Sequence, residues 1–386
     1  ALQKVTGEKM RKIFASLTAS RVKGVFSGFL ITSAIQSSSA TTVMTVSFVN
    51  AGLLSLRESI SVIMGANIGT TITAWLITIL GFNFQISLLA LPLIGIAFPL
   101  LLTKKNKWVS IGEFIMGFSI IFLGLEFIET SLPDLTQSPE VVKFLTDFTG
   151  HGYGSYLLFL VFGAVITAIF QSSSATMALT LVLCYKGWIS FDIAAAMVLG
   201  ENIGTTITAN IAAFIANNTA KASARSHFVF NLFGAVWMLI IFPYFLQGID
   251  FLTVKSIKIS PYITFTAIPF ALCLFHSTFN ILNTVLLIGC VPFIAKISKK
   301  LIIPRKTEKA EEFRLKHLGV GLLSTSEISI LQAKKEIASY GERAERIFIL
   351  VETLFNEINI DNFYQLYSEI EKEERICDKL EIEIAK

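Results

Sequence analysis

Two copies of one polar hexapeptide hold the residues best suited to chemistry in this chain. Gln36-Ser37-Ser38-Ser39-Ala40-Thr41 returns unchanged as Gln171-Ser172-Ser173-Ser174-Ala175-Thr176, 135 residues later. Each copy supplies hydroxyls and a carboxamide, uncharged donors that suit a tetrahedral oxyanion. A helix starting inside the block would add free backbone N–H groups and the positive end of its dipole. At the same offset, Gly65-Ala66-Asn67-Ile68-Gly69-Thr70-Thr71 is answered by Gly200-Glu201-Asn202-Ile203-Gly204-Thr205-Thr206. Residues 31–80 laid over 166–215 without a gap agree at 20 of 50 positions, mostly within these blocks. Asn67, Thr70, Thr71, Asn202, Thr205 and Thr206 offer hard oxygen ligands suited to Na⁺, which could balance an anion that has no Arg or Lys nearby.

Ser, Thr, Gly and Ala are also the small residues that let helices approach closely in lipid. Packing alone does not require two identical hexapeptides at equal spacing from two further matching blocks, so a binding role is the better account. Glu201 stands where the first copy has Ala66. A mid-membrane acid is a functional candidate, as cation ligand or proton site; the alternative is a hydrogen-bonded structural carboxyl beside a helix end. His227 and Asn231, then His276 and Asn280, each form an HxxFN pattern that puts both side chains on one helix face. Two such His on separate helices suit structural support of the hairpins better than catalysis or metal binding.

These blocks need elements that can hold polar groups inside an apolar chain. Hydrophobic residues make up 53% of the 386 and charged ones 16%, against about a quarter in soluble domains. The composition is that of an all-α polytopic membrane protein. Four scattered cysteines show neither a CxxC pair nor metal-ligand spacing, and residues 1–23 contain no apolar signal-peptide core. Residues 24–35 and 43–54 are apolar runs too short to span, so the block between them reads as the tip of a re-entrant hairpin. Residues 59–80 are long enough to span but carry Gly65, Asn67 and Gly69 midway, the composition of a broken helix. Spans follow at 84–102 and 110–129, then a second hairpin (156–189), its broken helix (191–215), and spans near 227–247 and 263–293.

Three crossings between the hairpins make the second enter from the opposite face, so the repeats are inverted. Loop charge agrees: residues 1–23, Lys104–Lys107, Lys221/Arg225 and the run from Lys296 to Lys316 fall on one, cytoplasmic, side, and the acidic 131–155 connection on the other. Lys186 and the Lys255/Lys258 pair run against this. The expected division is residues 1–135 as the first repeat, 136–295 as the second, 296–325 as a linker and 326–386 as a cytoplasmic helical segment. Residues 110–130 belong structurally to the start of the second repeat, so an N-terminal helix is expected to be missing from the first. In the last segment Ala344, Ile347, Phe348, Val351, Leu354, Phe355 and Ile358 form one apolar stripe, and Phe363, Leu366, Tyr367 and Ile370 a second. Asp361-Asn362 between them suits a turn and N-cap. Two helices are too few for a core of their own.

The paired QSSSAT, NIGTT and HxxFN blocks make residues 1–295 resemble the type II sodium/phosphate cotransporter family in its bacterial form. Residues 312–386 resemble the beginning of the PhoU-like helical domain that many bacterial members carry. The resemblance implies sodium-driven symport of inorganic phosphate by alternating access in a bacterial inner membrane, with the C-terminal segment cytoplasmic. It implies that Gln36, Ser37, Ser38, Ser39 and Gln171, Ser172, Ser173, Ser174 line the phosphate site. Asn67, Thr70, Thr71, Asn202, Thr205 and Thr206, with Ser39 and Ser174, would complete the sodium shells. Partners would be phosphate, Na⁺ as coupling ion and the bilayer, with no other cofactor and no nucleic acid. A homodimer is one admissible assembly. No base, nucleophile or metal cluster accompanies the blocks, so an enzyme is not expected. A phosphate sensor or exporter regulated through the C-terminal segment is the alternative.

Overall fold

A computed structural model describes residues 20–83, 87–131, 147–302 and 326–384, and every regular element among them is helical. Most of the basic N-terminal stretch, the first residues of the 84–102 span, the charges Asp134, Glu140 and Lys143, and most of the 296–325 linker lie outside the described residues.

Helices α1 (Arg21–Ile35) and α2 (Ser38–Asn50) form a hairpin and are followed by α3 (Leu56–Leu76). Next come α4 (Ser87–Leu101) and α5 (Asn106–Ser131), which pack on each other. The plan then returns as the hairpin α6 (Tyr153–Phe170) and α7 (Ser173–Tyr185), followed by α8 (Phe191–Gly204) and α9 (Thr206–Ala212). Helices α10 (Asn218–Ile257), α11 (Ile268–Leu287) and α12 (Val291–Lys300) complete this part. Five helices are long and apolar enough to cross a membrane among the described residues. The chain is a multi-pass, all-α membrane protein.

The reading of broken helices needs correction. Helix α3 runs without interruption through Gly65, Asn67 and Gly69, and only past Leu76 does it widen into π-helical turns, Ile77–Asn83. Its counterpart is interrupted at Thr205 alone, whose φ of −55° and ψ of −26° keep it close to helical. The glycines open space outside the backbone instead. A Cβ on Gly65 would lie 1.8 Å from the Val25 carbonyl oxygen, and one on Gly28 would lie 1.9 Å from that of Val62. The second half repeats the arrangement, with Gly200 against the Leu160 oxygen (1.9 Å) and Gly163 against that of Met197 (2.4 Å). Hence α1 lies on α3, and α6 on α8, backbone against backbone, a close approach that small residues permit.

The hairpin arms also differ in length from expectation. Helix α6 has 18 residues and is apolar and long enough to cross, whereas α1 has 15 and α2 and α7 have 13 each. Between the halves, α2 packs against α9 and α10, and α7 packs against α3; within the second half α7 also packs against α11. The arm leaving each tip therefore touches the other half's polar helix. The largest buried cluster includes Met177 and Leu181 of α7, Met197 of α8, Met238 and Phe242 of α10, and Phe275 of α11.

The C-terminal helices α13 (Ser326–Phe355) and α14 (Ile360–Ile384) pair through Arg343 and Glu373, whose charged atoms are 2.7 Å apart. Two details differ from expectation. Asn359, not Asp361 or Asn362, accepts from the amides that open α14, and Ile358 lies in the connection beyond α13. Ile347, Val351 and Leu354 are half-buried but Phe348 and Phe355 are 74% and 86% exposed, so the first stripe finds only partial cover.

Candidate functional site

The repeated hexapeptides fold almost identically. Gln36 ends α1 with φ 58° and ψ 30°, and Gln171 ends α6 with φ 52° and ψ 26°. This left-handed conformation is costly for a residue with a Cβ. At the first tip local bonds offset it: the Gln36 amide N–H reaches the Thr32 carbonyl at 2.7 Å, and its Nε2 donates to the Ser33 carbonyl at 2.6 Å. The next residue is extended in both copies, Ser37 at φ −148° and Ser172 at φ −146°. Each is an N-cap, its Oγ accepting from the Ala40 or Ala175 amide at 3.1 and 3.2 Å.

That division separates the serines chemically. Ser37 and Ser172 are committed to helix caps. The hydroxyls of Ser38, Ser39, Ser173 and Ser174 make no hydrogen bond to a described residue and lie in the first turn of α2 or α7, where backbone N–H groups lack helical acceptors. Each tip thus offers two free hydroxyls and the positive end of a helix dipole, a set that can surround part of an oxyanion.

The paired Asn residues are held by the HxxFN patterns. Asn67 on α3 donates from Nδ2 to Asn231 Oδ1 at 2.7 Å, while its Oδ1 lies 2.9 Å from His227 Nε2 on α10. Both ends of the Asn67 carboxamide are therefore engaged, and all three side chains are buried. In the second half His276 Nε2 on α11 is 3.5 Å from Asn202 Oδ1, and Asn280 Nδ2 turns back to the His276 carbonyl. The His and Asn patterns brace the two polar helices; they do not meet at the tips. Asn67→Leu would strand two buried partners at once, which costs roughly 3 kcal/mol. Asn202→Leu should cost less, because its contact is longer. Thermal unfolding in detergent checks the order, and equal losses would argue against a bracing role for Asn67.

The threonines divide similarly. Thr71 and Thr206 donate to the carbonyls three residues back, Ile68 and Ile203, at 2.8 and 2.7 Å. Thr205 donates to the Glu201 carbonyl, whereas the buried Thr70 hydroxyl has no partner among the described residues. Glu201 is 2% exposed, and one of its oxygens lies 2.8 Å from the Thr180 hydroxyl on α7. Thr180 also lies 3.0 Å from the Thr176 carbonyl. A hydroxyl has one hydrogen to give, so either two acceptors share it or Glu201 contributes a proton of its own. The second Glu201 oxygen has no partner among the described residues.

Three positions went unread in the sequence. Thr73 donates to Gln36 Oε1 at 2.8 Å, Thr32 donates to Thr41 at 2.9 Å and closes the first hairpin, and Thr180 meets Glu201. All recur identically in the other copy, as Thr208, Thr167 and Thr45. Identity outside the polar blocks was the available signal. The halves nevertheless differ in bonding. Thr208 and Thr167 have no partner among the described residues, and Gln171 is exposed where Gln36 is half-buried.

Comparison with known proteins gives a consistent set. A family profile described as Na+/Pi-cotransporter matches residues 1–130 and 136–291. The chain is 28% identical over 348 residues to the "Putative inorganic phosphate export protein YjbB" of Escherichia coli (strain K12), covering 90% of this chain and 60% of that protein. It is 34% identical over 218 residues to the protein YqeW of Bacillus subtilis (strain 168), covering 56% of this chain and 68% of the relative. It is 39% identical over 82 residues to the human "Sodium-dependent phosphate transport protein 2B", covering 21% and 12%. No solved structure matches. The chain thus spans about three fifths of the length of its YjbB relatives.

Proposed function

Because this chain belongs to the Na+/Pi-cotransporter family, we propose that it carries inorganic phosphate across the bacterial inner membrane, coupled to Na⁺, by alternating access. The family is one of transporters, not of enzymes. The observation that carries the reading is the duplicated tip, with identical backbone and two unengaged hydroxyls in each copy. Ser38, Ser39, Ser173 and Ser174 would donate to phosphate, Gln171 and, on release from Ser33 and Thr73, Gln36 would close over it, and Ser37 and Ser172 would hold the tips in shape. Thr70, Thr71, Thr205 and Thr206 would lend oxygens to Na⁺, with Asn67 and Asn202 fixed behind them. Inverted repeats with a site at their junction are a recurring transporter plan.

Residues 1–135 and 136–295 would be the two inverted halves, and α13 and α14 the start of a cytoplasmic PhoU-like domain. The partly exposed stripe on α13 suits a regulatory partner helix. The name of the YjbB relatives favours a second reading, export of phosphate by the same site.

Reconstituted protein decides between these. Uptake of labelled phosphate into proteoliposomes should require an inward Na⁺ gradient and collapse when K⁺ replaces Na⁺. Flux indifferent to Na⁺ would remove the coupling and leave a uniporter or an exporter driven otherwise. Na⁺-dependent flux of sulfate equal to that of phosphate would reject the assigned substrate.

A further inference from the structure

A chain of three hollows runs along one flank of the second half, its far end reaching Gly204 and Thr206 of the second polar block. The first, about 300 Å³, is lined by Asn218, Thr219, Lys299 and Ile302. The second, about 400 Å³, shares Ile302 with it and brings in Lys221 and Arg225 from the first turns of α10. The third, about 650 Å³, shares Arg225 and Asn210 with the second and is otherwise almost entirely apolar. Its walls are Val161, Val165 and Ala168 of α6, Ile207 of α9, and Phe228 and Leu232 of α10.

Charge and position separate this path from an ordinary groove between helices. Three cations, Lys221, Arg225 and Lys299, stand at one end, no Asp or Glu among the described residues lines any of the hollows, and none of the three pairs with a described carboxylate. Lys221 and Arg225 are one helical turn apart on the same face. Arg225 spends one N–H on the Leu301 carbonyl, which fixes the side chain and leaves the rest of its five donors free. The apolar end opens sideways, where Val161, Val165, Ile207 and Leu232 are each 40% exposed or more. A polar, cationic head beside an apolar, laterally open trough matches one kind of ligand in a bilayer.

We propose that this path is a binding site for an anionic glycerophospholipid. The phosphodiester lies between Lys221 and Arg225, where a guanidinium can grip two phosphate oxygens, and one acyl chain lies along α6 and α10. Basic hollows between membrane helices on the positive side are suited to anionic headgroups. The chemistry shared with a free phosphate ion is the oxyanion; the apolar trough is what commits the site to a lipid. Occupancy would also press on α9, which begins at Thr206, so the lipid would touch the helix that follows the second polar block.

The full-length chain in mild detergent, offered equal palmitoyl-oleoyl phosphatidylglycerol and phosphatidylcholine, tests this by native mass spectrometry. Retention of phosphatidylglycerol should exceed that of phosphatidylcholine about tenfold, the effect of one good charge-assisted contact. Lys221→Gln with Arg225→Gln should bring the two lipids near parity. Val165→Trp keeps every charge but fills the trough, and should also lower retention of phosphatidylglycerol. Both variants are compared at matched, monodisperse elution, so misfolded material is excluded. Equal retention of both lipids by the unaltered chain would overturn the proposal, as would full retention in the charge variant. A loss in the charge variant without one in Val165→Trp would point to a free anion and overturn the lipid assignment. Displacement of the bound species by millimolar inorganic phosphate would do the same.

Discussion

Proteoliposomes carrying Ser38→Ala together with Ser173→Ala are expected to show no phosphate flux above background. Either change alone should lower apparent affinity about tenfold or more, since a hydrogen bond to a charged group contributes roughly 1.5–3 kcal/mol and 1.4 kcal/mol is a decade. The argument is one of availability. Both hydroxyls sit in the first turn of a helix and are taken by no described residue, so their removal subtracts a donor without exposing a partner elsewhere. Ser37→Ala is the informative contrast, because its oxygen accepts from the Ala40 amide. Losing that cap costs about 1 kcal/mol of helix stability and should lower the unfolding temperature more than Ser38→Ala does. If Ser38→Ala and Ser173→Ala left affinity and rate intact while Ser37→Ala abolished both, the hexapeptide would be an architectural turn and the anion would bind elsewhere.

The largest structural effect should come from Gly65→Val. A Cβ there would stand 1.8 Å from the Val25 carbonyl oxygen and 2.8 Å from the Phe29 nitrogen. Neither atom belongs to a side chain that could rotate away, so α1 and α3 would have to separate, at a cost well above the ~1–3 kcal/mol of ordinary overpacking. No monodisperse protein is expected in fluorescence-detected size exclusion, and the same holds for Gly200→Val, which would meet the Leu160 oxygen at 1.9 Å. Gly95→Ala is the control. Its Cβ meets nothing within 4 Å, and replacing a helical glycine should leave stability unchanged or slightly improved. A well-folded Gly65→Val protein would mean that the two helices do not touch as described.

Much of this is legible in the amino-acid sequence alone. Alternating apolar and polar stretches placed the hairpins, and a fixed 135-residue offset announced the duplication. What escaped follows from what a sequence lacks. Gly65 and Gly69 looked like breaks because glycine weakens an isolated helix; the carbonyls of Val25 and Phe29, which need that space, lie some 40 residues away in the chain. The spacing of His227 and Asn231 puts them on one face, but a face does not name its neighbour, and nothing in the sequence picks out Asn67 as the side chain they hold. Ser37 and Ser38 are indistinguishable as letters, and only the backbone angles make one a cap and leave the other free. Thr73 carries only the mark of its recurrence as Thr208, which does not name its partner, a glutamine in a conformation that glutamine seldom adopts.

The uneven bonding of the two halves has an energetic meaning. Thr73 to Gln36 and Thr32 to Thr41 are made on one side, while Thr208 and Thr167 go without on the other. At about 1 kcal/mol for each bond, that is roughly 2 kcal/mol held by one half and owed by its twin. If the matching threonines of the two halves exchanged these bonds, the first releasing as the second engages, the net change in energy would be small. Two arrangements so close in energy would both be populated, and a bound ion worth a few kcal/mol would be enough to reverse their order.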